Sequence, residues 1–409
     1  MDAGCSSTCC SENRGRSGAE LLAARARAGH PVASDGEDGA VSREETRLEL
    51  AWKPAWEQSR RHFTDWWNRE GLVVGMWGGV HAETPNETVE RPEPVPPAKA
   101  VFYTDAAARA RRNHYRLSRQ AFPLDMLPIA DSMIGPGSLA LCLGSEPEFA
   151  ENTVWFGSIM EHDEEPEKRG PLRFDPENRW WKIHEATLRE SASLARGRYL
   201  VGCPDLIENI DILASLRGMS PLFLDMINRP EWVSEKLREI NQAYFEVYDR
   251  IYEIIKLEDG SAAFEAYKLW GPGKTAKVQC DASTMFSPEM FRKFVVPFLR
   301  EQCAYLDHSM YHLDGNEQFR HLDALLEIEE LDAIEWTPNA NLPLGGDPQW
   351  YGLYRRILDA GKSVQAYLVW PQEIVPLLDA VGGRGVYILG LFRNQAEVEA
   401  VAREIETYR

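Results

Sequence analysis

His312 and Asp314 stand two residues apart in the pentad His312-Leu313-Asp314-Gly315-Asn316, and this spacing is the strongest chemical signal in the chain. The approach, Ser309-Met310-Tyr311, reads as a strand, and residues 317–326 read as an amphipathic helix. Side chains at i and i+2 of a strand leave on the same face. An imidazole and a carboxylate would then enter one site together, able to ligate a metal or share a proton. The plainer reading is a polar pair that ends a strand and caps the helix after it.

A site of this kind needs a scaffold of strands that end at one place. Apolar runs at 125–130, 198–202, 275–278, 310–312, 333–336, 363–367 and 386–389 read as strands. Residues 230–255, 288–305, 350–360, 371–381 and 395–408 read as helices between or after them. This alternation implies parallel βαβ units. The chain carries neither G-x-G-x-x-G nor G-x-x-x-x-G-K-[ST], the phosphate-binding turns of open nucleotide-binding sheets. A (β/α)8 barrel is therefore the expected fold, with its site at the C-terminal ends of the strands. The polar residues at those ends are Asp131, Asp205, Glu208, Cys280, Asp281, His312, Asp314, Glu335 and Arg393.

Upstream, Trp56, Phe63, Trp66 and Trp67 recur at helical spacing within 54–70. That pattern predicts a helix covering a core rather than an aromatic platform for a ligand. Residues 72–77 read as a strand, and the proline-rich stretch 83–100 as a loop. The division expected is a flexible tail over 1–45, an N-terminal extension packed on the barrel over 46–124, and the barrel over 125–409. His184 is read as a helix-face residue and His321 as a surface one.

The 409 residues are 44% hydrophobic and 27% charged, enough for a large core, and the net charge is −19. An acidic chain is a poor match for nucleic acid or an anionic membrane surface. A local arginine can still receive an anionic small substrate. No run reaches the roughly 18 apolar residues of a membrane span. Residues 1–5 show no basic segment followed by an apolar one, so a cytoplasmic location is expected. Cys5, Cys9 and Cys10 crowd a Ser/Gly-rich start and read as reactive or incidental thiols rather than a soft-metal site.

Several segments resemble one superfamily. Gly135-Pro136-Gly137-Ser138-Leu139-Ala140, Leu143-Gly144-Ser145-Glu146-Pro147-Glu148-Phe149 and Asp211-Ile212-Leu213-Ala214-Ser215-Leu216-Arg217-Gly218 resemble stretches of uroporphyrinogen decarboxylase-like proteins. Phe286-Ser287-Pro288-Glu289-Met290-Phe291 with Phe294-Val295-Val296-Pro297-Phe298 is similar to the superfamily's Ser-Pro-Glu-x-Phe helix. The pentad falls where that superfamily carries an H-x-C-G or H-x-G strand end. The resemblance covers 125–409.

The resemblance implies a (β/α)8 barrel with one of two activities: cofactor-free decarboxylation of uroporphyrinogen, or zinc-dependent methyl transfer between a corrinoid protein and a thiol. The decarboxylases carry an R-Q-A-G-R-Y segment, whereas Arg119-Gln120-Ala121-Phe122-Pro123 lacks its second half. Cys280 stands where their catalytic aspartate falls, with Asp281 next to it. The methyltransferases hold zinc with the His and Cys of H-x-C and a later Cys. Here Asp314 replaces the first Cys, and no cysteine follows Cys303.

The leading expectation is a methyltransferase-like enzyme acting on a small substrate. His312 and Asp314, with Cys280 or Glu335 as a third, are the expected ligands of zinc or another divalent metal, and the resemblance implies a corrinoid partner protein. Asp281, Glu335 and Tyr367 join His312 and Asp314 as catalytic candidates, while Asp205, Trp336 and Arg393 are expected to bind substrate. The alternatives are a metal-free decarboxylase or lyase, and a sugar-active barrel that stacks tryptophans such as Trp77 on a pyranose. A homo-oligomer is compatible with the sequence.

Overall fold

The computed structural model describes residues 49–94, 99–150, 153–207 and 209–409. The tail over 1–45, with Cys5, Cys9 and Cys10, and Glu208 lie outside the described residues. Ten strands build the centre. They are β1 (Leu72–Gly75), β2 (Ile129–Ala130), β3 (Leu200–Cys203), β4 (Ala262–Phe264), β5 (Leu269–Gly271), β6 (Thr275–Gln279), β7 (His308–Asp314), β8 (Ala333–Thr337), β9 (Ser363–Val369) and β10 (Val386–Gly390). Six of them form one parallel sheet in the order β1-β10-β9-β8-β7-β6. The other four form a second sheet, β2-β3-β4-β5, whose last pair is antiparallel.

The expected closed (β/α)8 barrel is not seen: these strands form two hydrogen-bonded sheets, arcs that do not join into one cylinder. Two local causes are visible. β2 has only two residues and follows Pro128, which has no N–H to give to a ladder. Between β4 and β6 the chain makes a hairpin instead of a helical crossover, so β5 runs backwards along β4. The arcs approach where the Asp125 amide donates to the Val74 carbonyl at 2.9 Å, and β4 lies beside β6. β1, from the stretch read as an extension, is an edge strand of the main sheet.

The helices between strands start as their sequences dictate. Ser287 accepts a hydrogen bond from the Met290 amide at 3.3 Å, with Pro288 in the first helical position. The helix expected over 288–305 is two, Pro288–Phe294 and Val296–Tyr305. Pro297 cannot donate to the carbonyl four residues back, so the chain breaks at Val295. The segment after the pentad begins as 3-10 turns over Asn316–His321 before the short helix Leu322–Leu326.

The Trp56–Trp67 helix buries Trp56, Phe63, Trp66 and Trp67 and covers the starting ends of the strands. Trp66 donates to the Val364 carbonyl at 3.3 Å, Trp67 donates to the Trp270 carbonyl at 2.9 Å, and the Trp67 ring stacks on His308 at the start of β7. Asp125 ties this helix to β1 and to Arg409: its carboxylate meets His62 at 2.7 Å, Ser59 at 3.1 Å, the Val74 amide at 3.0 Å and Arg409 at 2.7 Å. Among the described residues no helix is long and apolar enough to cross a membrane.

Candidate active site

The register of the main sheet aligns Gln279, His312, Glu335, Gln365 and Tyr387 across β6 to β10. One step further along, Asp314 stands opposite Thr337. With a period of two, these side chains share the inner face, while Leu313 and Trp336 share the outer one. Gly315 then turns the chain out of β7 with φ +80, a conformation that favours glycine. A Cβ there would meet Asn339 Oδ1 at 2.9 Å.

His312 is held at both ring nitrogens. Nδ1 lies 2.5 Å from Oε2 of Glu335, and Nε2 lies 3.0 Å from the Tyr267 hydroxyl. Oε1 of Glu335 accepts from Thr337 Oγ1 at 2.7 Å, so both carboxylate oxygens of this fully buried residue are engaged. With Glu335 ionised, Nδ1 carries the proton and the Nε2 lone pair faces the opening, where it accepts from Tyr267. Burial works against a charged imidazole, but the Glu335 charge and hydrogen bond outweigh it and raise the His312 pKa. Glu335 is itself raised by burial, with the histidine opposing. Both groups thus hold a proton more strongly than they would in water.

Asp314 Oδ2 lies 4.0 Å from His312 Nε2. One ligand atom each from Asp281, His312 and Asp314 lies within 4.8 Å of the others. Burial, with the neighbouring Asp281 charge, raises the Asp314 pKa. Gln279 donates to Asp281 at 2.8 Å, and Lys277 pairs with Asp205 at 2.7 Å while also reaching Gln279. Asp211 accepts from the amides of Asp281 and Ala282 at 2.8 and 2.9 Å, which fixes the turn carrying Asp281. Burial and the Asp281 charge push the Asp211 carboxyl up to about 7.

Trp77, Tyr267 and Tyr367 rise beside the histidine; the Tyr267 ring centre is 4.8 Å from the imidazole. Tyr267 and Lys268 have φ of +58 and +52, and Leu368, next to Tyr367 at a register shift between β9 and β10, has +56. Bulges and left-handed non-glycine residues collect at functional sites. A second polar group adjoins this rim. Arg109 pairs with Asp131 at 2.7 Å, and Glu265 accepts from the Ser132 amide at 3.0 Å. Burial and the Asp131 charge push Glu265 well above the carboxylate range.

Of the residues singled out in the sequence, His312, Asp314, Asp281, Glu335, Tyr367 and Asp205 come together here. Three do not. Cys280 follows Gln279 on the other face, fully buried, and Asp281 takes the place expected for it beside His312. Trp336 is buried on the outer face between Phe319 and Trp350, at 4.6 and 5.0 Å. Arg393 is exposed and pairs with Glu397 in the next helix. His321 is not on the surface: it is buried, stacked on Phe291 and bonded to the Ser283 carbonyl at 2.8 Å.

Sequence reasoning missed Tyr267, Lys277 and Gln279. Tyr267 lies in the hairpin between β4 and β5, which carries no strong strand pattern. The other two did leave a signal: Thr275, Lys277 and Gln279 place a polar residue at every second position of a strand that is buried throughout.

No family model matches the chain, and no curated protein matches it by sequence. Solved structures do. A methyltransferase from Methanosarcina mazei is similar with a TM-score of 0.56 and 10% identity, over 85% of this chain and 98% of that one. A B12-independent methionine synthase from a Shewanella species, in complex with selenomethionine, has a TM-score of 0.44 at 11% identity, over 82% and 97% of the two chains. The first likeness is one of fold: this chain shares the α/β architecture of that methyltransferase along nearly its whole length.

Proposed function

We propose that this chain is a methyltransferase-type enzyme of the uroporphyrinogen decarboxylase-like superfamily, moving a methyl group to or from a small substrate with the help of a divalent metal. The observation that carries the reading is the convergence of Asp281, His312 and Asp314, with ligand atoms within 4.8 Å, on an imidazole whose far nitrogen is bound by a buried carboxylate. Carboxylate–histidine pairs of this kind orient metal-binding imidazoles.

The donor set decides which metal suits it. The thiolates of the superfamily's zinc site are missing, since Cys280 faces away and Cys303 is buried in a helix. Two carboxylates and an imidazole are a harder set, fit for zinc, iron or manganese. A divalent ion there would polarise the atom that gives up or receives the methyl group.

The remaining chemistry belongs to the side chains. Glu335 fixes the imidazole and its tautomer. Tyr267 occupies the Nε2 side through its hydroxyl and would have to give up that contact to a metal held there. Gln279 and Asp211 hold Asp281 in place. Lys277 supplies positive charge among the carboxylates. The corrinoid protein, as second methyl carrier, rests on the resemblance of the 286–298 segment.

A second reading is favoured by the His312–Glu335 contact itself: a metal-free lyase in which the dyad moves a proton at Nε2. Metal titration of the purified chain separates the two. The methyl-transfer reading expects about one ion per chain, with affinity lost at least about tenfold in His312→Ala. Binding far below one ion per chain, unchanged in the variant, overturns it.

A further inference from the structure

We propose that the cavity between the start of the Pro230–Ile255 helix and the 167–173 segment binds a small zwitterion such as an α-amino acid, its carboxylate inward and its ammonium at the rim. The proposal goes beyond the methyl-transfer reading and does not depend on it, since no residue lining this cavity belongs to the Asp281–His312–Asp314 cluster. The cavity measures about 480 Å³. That lies within the roughly 300–1,000 Å³ of small-molecule sites.

The inner wall is rich in donors and short of acceptors. Trp232 lines the cavity and is only 6% exposed, and its indole N–H meets no acceptor among the described residues. An indole nitrogen can only donate, and a buried donor left unbonded is destabilising. Trp232 is also the third residue of a 26-residue helix. Arg229 stands at the N-cap of that helix and makes no side-chain bond to its first amides, because a guanidinium has no acceptor to offer. Helix starts with open amides receive anions. Lys236, one turn further on and 3% exposed, adds an ammonium to the same wall. Its partner Glu239, at 2.9 and 3.1 Å, also accepts from the Leu172 amide at 2.8 Å. Glu239 is thereby occupied by two donors of the protein.

The rim reverses the charge. Glu231 and Glu235 stand one turn apart on the helix, exposed and without an ion pair among the described residues. Opposite them, Arg169 is engaged by the Ile159 carbonyl at 2.8 Å and Asp163 at 3.2 Å, and Glu167 by Arg229 at 2.6 Å. Among the described residues this leaves Arg173 as the unpaired cation of the lining, against two unpaired carboxylates. A plain anion would be drawn to the inner donors but repelled by those two carboxylates. A plain cation would leave the indole and the helix start unbonded. A molecule that carries both charges satisfies both walls.

The test is calorimetric titration of the full chain with glycine, with sodium acetate and with methylammonium chloride, the last two supplying one of glycine's charges each. Glycine is expected to bind saturably and at least about tenfold more tightly than either. Trp232→Phe keeps a ring in the wall and removes the N–H, and should weaken glycine at least about fivefold. The double variant Glu231→Gln, Glu235→Gln changes only exposed side chains. It should weaken glycine about fivefold and leave acetate unchanged or tighter. Circular dichroism checks that each variant is folded. Acetate or methylammonium binding as tightly as glycine, no saturable binding of glycine, or unchanged glycine affinity in either folded variant overturns the site.

Discussion

Nδ1 of His312 lies 2.5 Å from Oε2 of Glu335, a carboxylate with no exposed surface whose other oxygen is bound by Thr337. The contact follows from register, because β7 and β8 pair His312 directly with Glu335. It settles which imidazole nitrogen faces the opening, and with it what the histidine can ligate.

Glu335→Gln keeps an acceptor near Nδ1 but removes the charge that makes Nε2 a strong donor. Metal affinity is expected to fall about 10- to 100-fold, the usual cost of losing such a carboxylate. Titration of wild type and variant with one metal checks this, and equal affinities would show that Glu335 does not act through the histidine.

Asp125 is buried among His62, Ser59, the Val74 amide and Arg409. Asp125→Ala leaves Arg409 and His62 without their partner and unties the Trp56–Trp67 helix from the sheet. A loss of about 3 kcal/mol is expected, in line with broken buried pairs. Urea unfolding measures it.

His184 is buried on the Arg179–Ala195 helix, where burial and the Arg109 charge lower its pKa from 6.5 to about 3. Its folded pKa is thus below the unfolded one. Between these values the unfolded chain takes up a proton that the folded chain refuses, so stability is lost as pH falls from 6.5 towards 3. At pH 5 this single group is expected to cost about 2 kcal/mol relative to neutral pH. His184→Gln removes the titration, so its unfolding free energy should fall less steeply between pH 7 and 5. Parallel slopes for the two proteins would count against it.

Leu368 lies in the left-handed region at the register shift beside Tyr367. Glycine meets no steric penalty there and alanine does. Leu368→Gly is therefore expected to be more stable than Leu368→Ala by about 1 kcal/mol, the reverse of the usual order in regular structure. Comparing the two in urea keeps the lost side chain constant.

The residues that end parallel strands were legible in the sequence because alternation and βαβ spacing are local patterns. His312, Asp314 and Glu335 followed from strand ends alone, and Asp281 from its neighbour. The non-local part was not legible. Tyr267 reaches His312 through a hairpin held by two left-handed residues, and no propensity announces them. Cys280 and Asp281 are adjacent, and which of them turned inward depended on the phase of β6, which Lys277 and Gln279 set. Trp336 followed the same rule with the opposite result. Arg393, just ahead of the Gln395–Ile405 helix, was drawn to Glu397 inside it. The closed barrel failed at β2 and at the β4–β5 hairpin, where the segments were too short to show a pattern.

The choice between Asp281 and Cys280 as the third ligand is the most direct test of the site. Metal bound per chain should be measured for wild type, Asp281→Asn and Cys280→Ala at a fixed free-metal concentration. The site described here expects Cys280→Ala to match wild type and Asp281→Asn to bind at least about tenfold more weakly. Loss of metal in Cys280→Ala with retention in Asp281→Asn would contradict it.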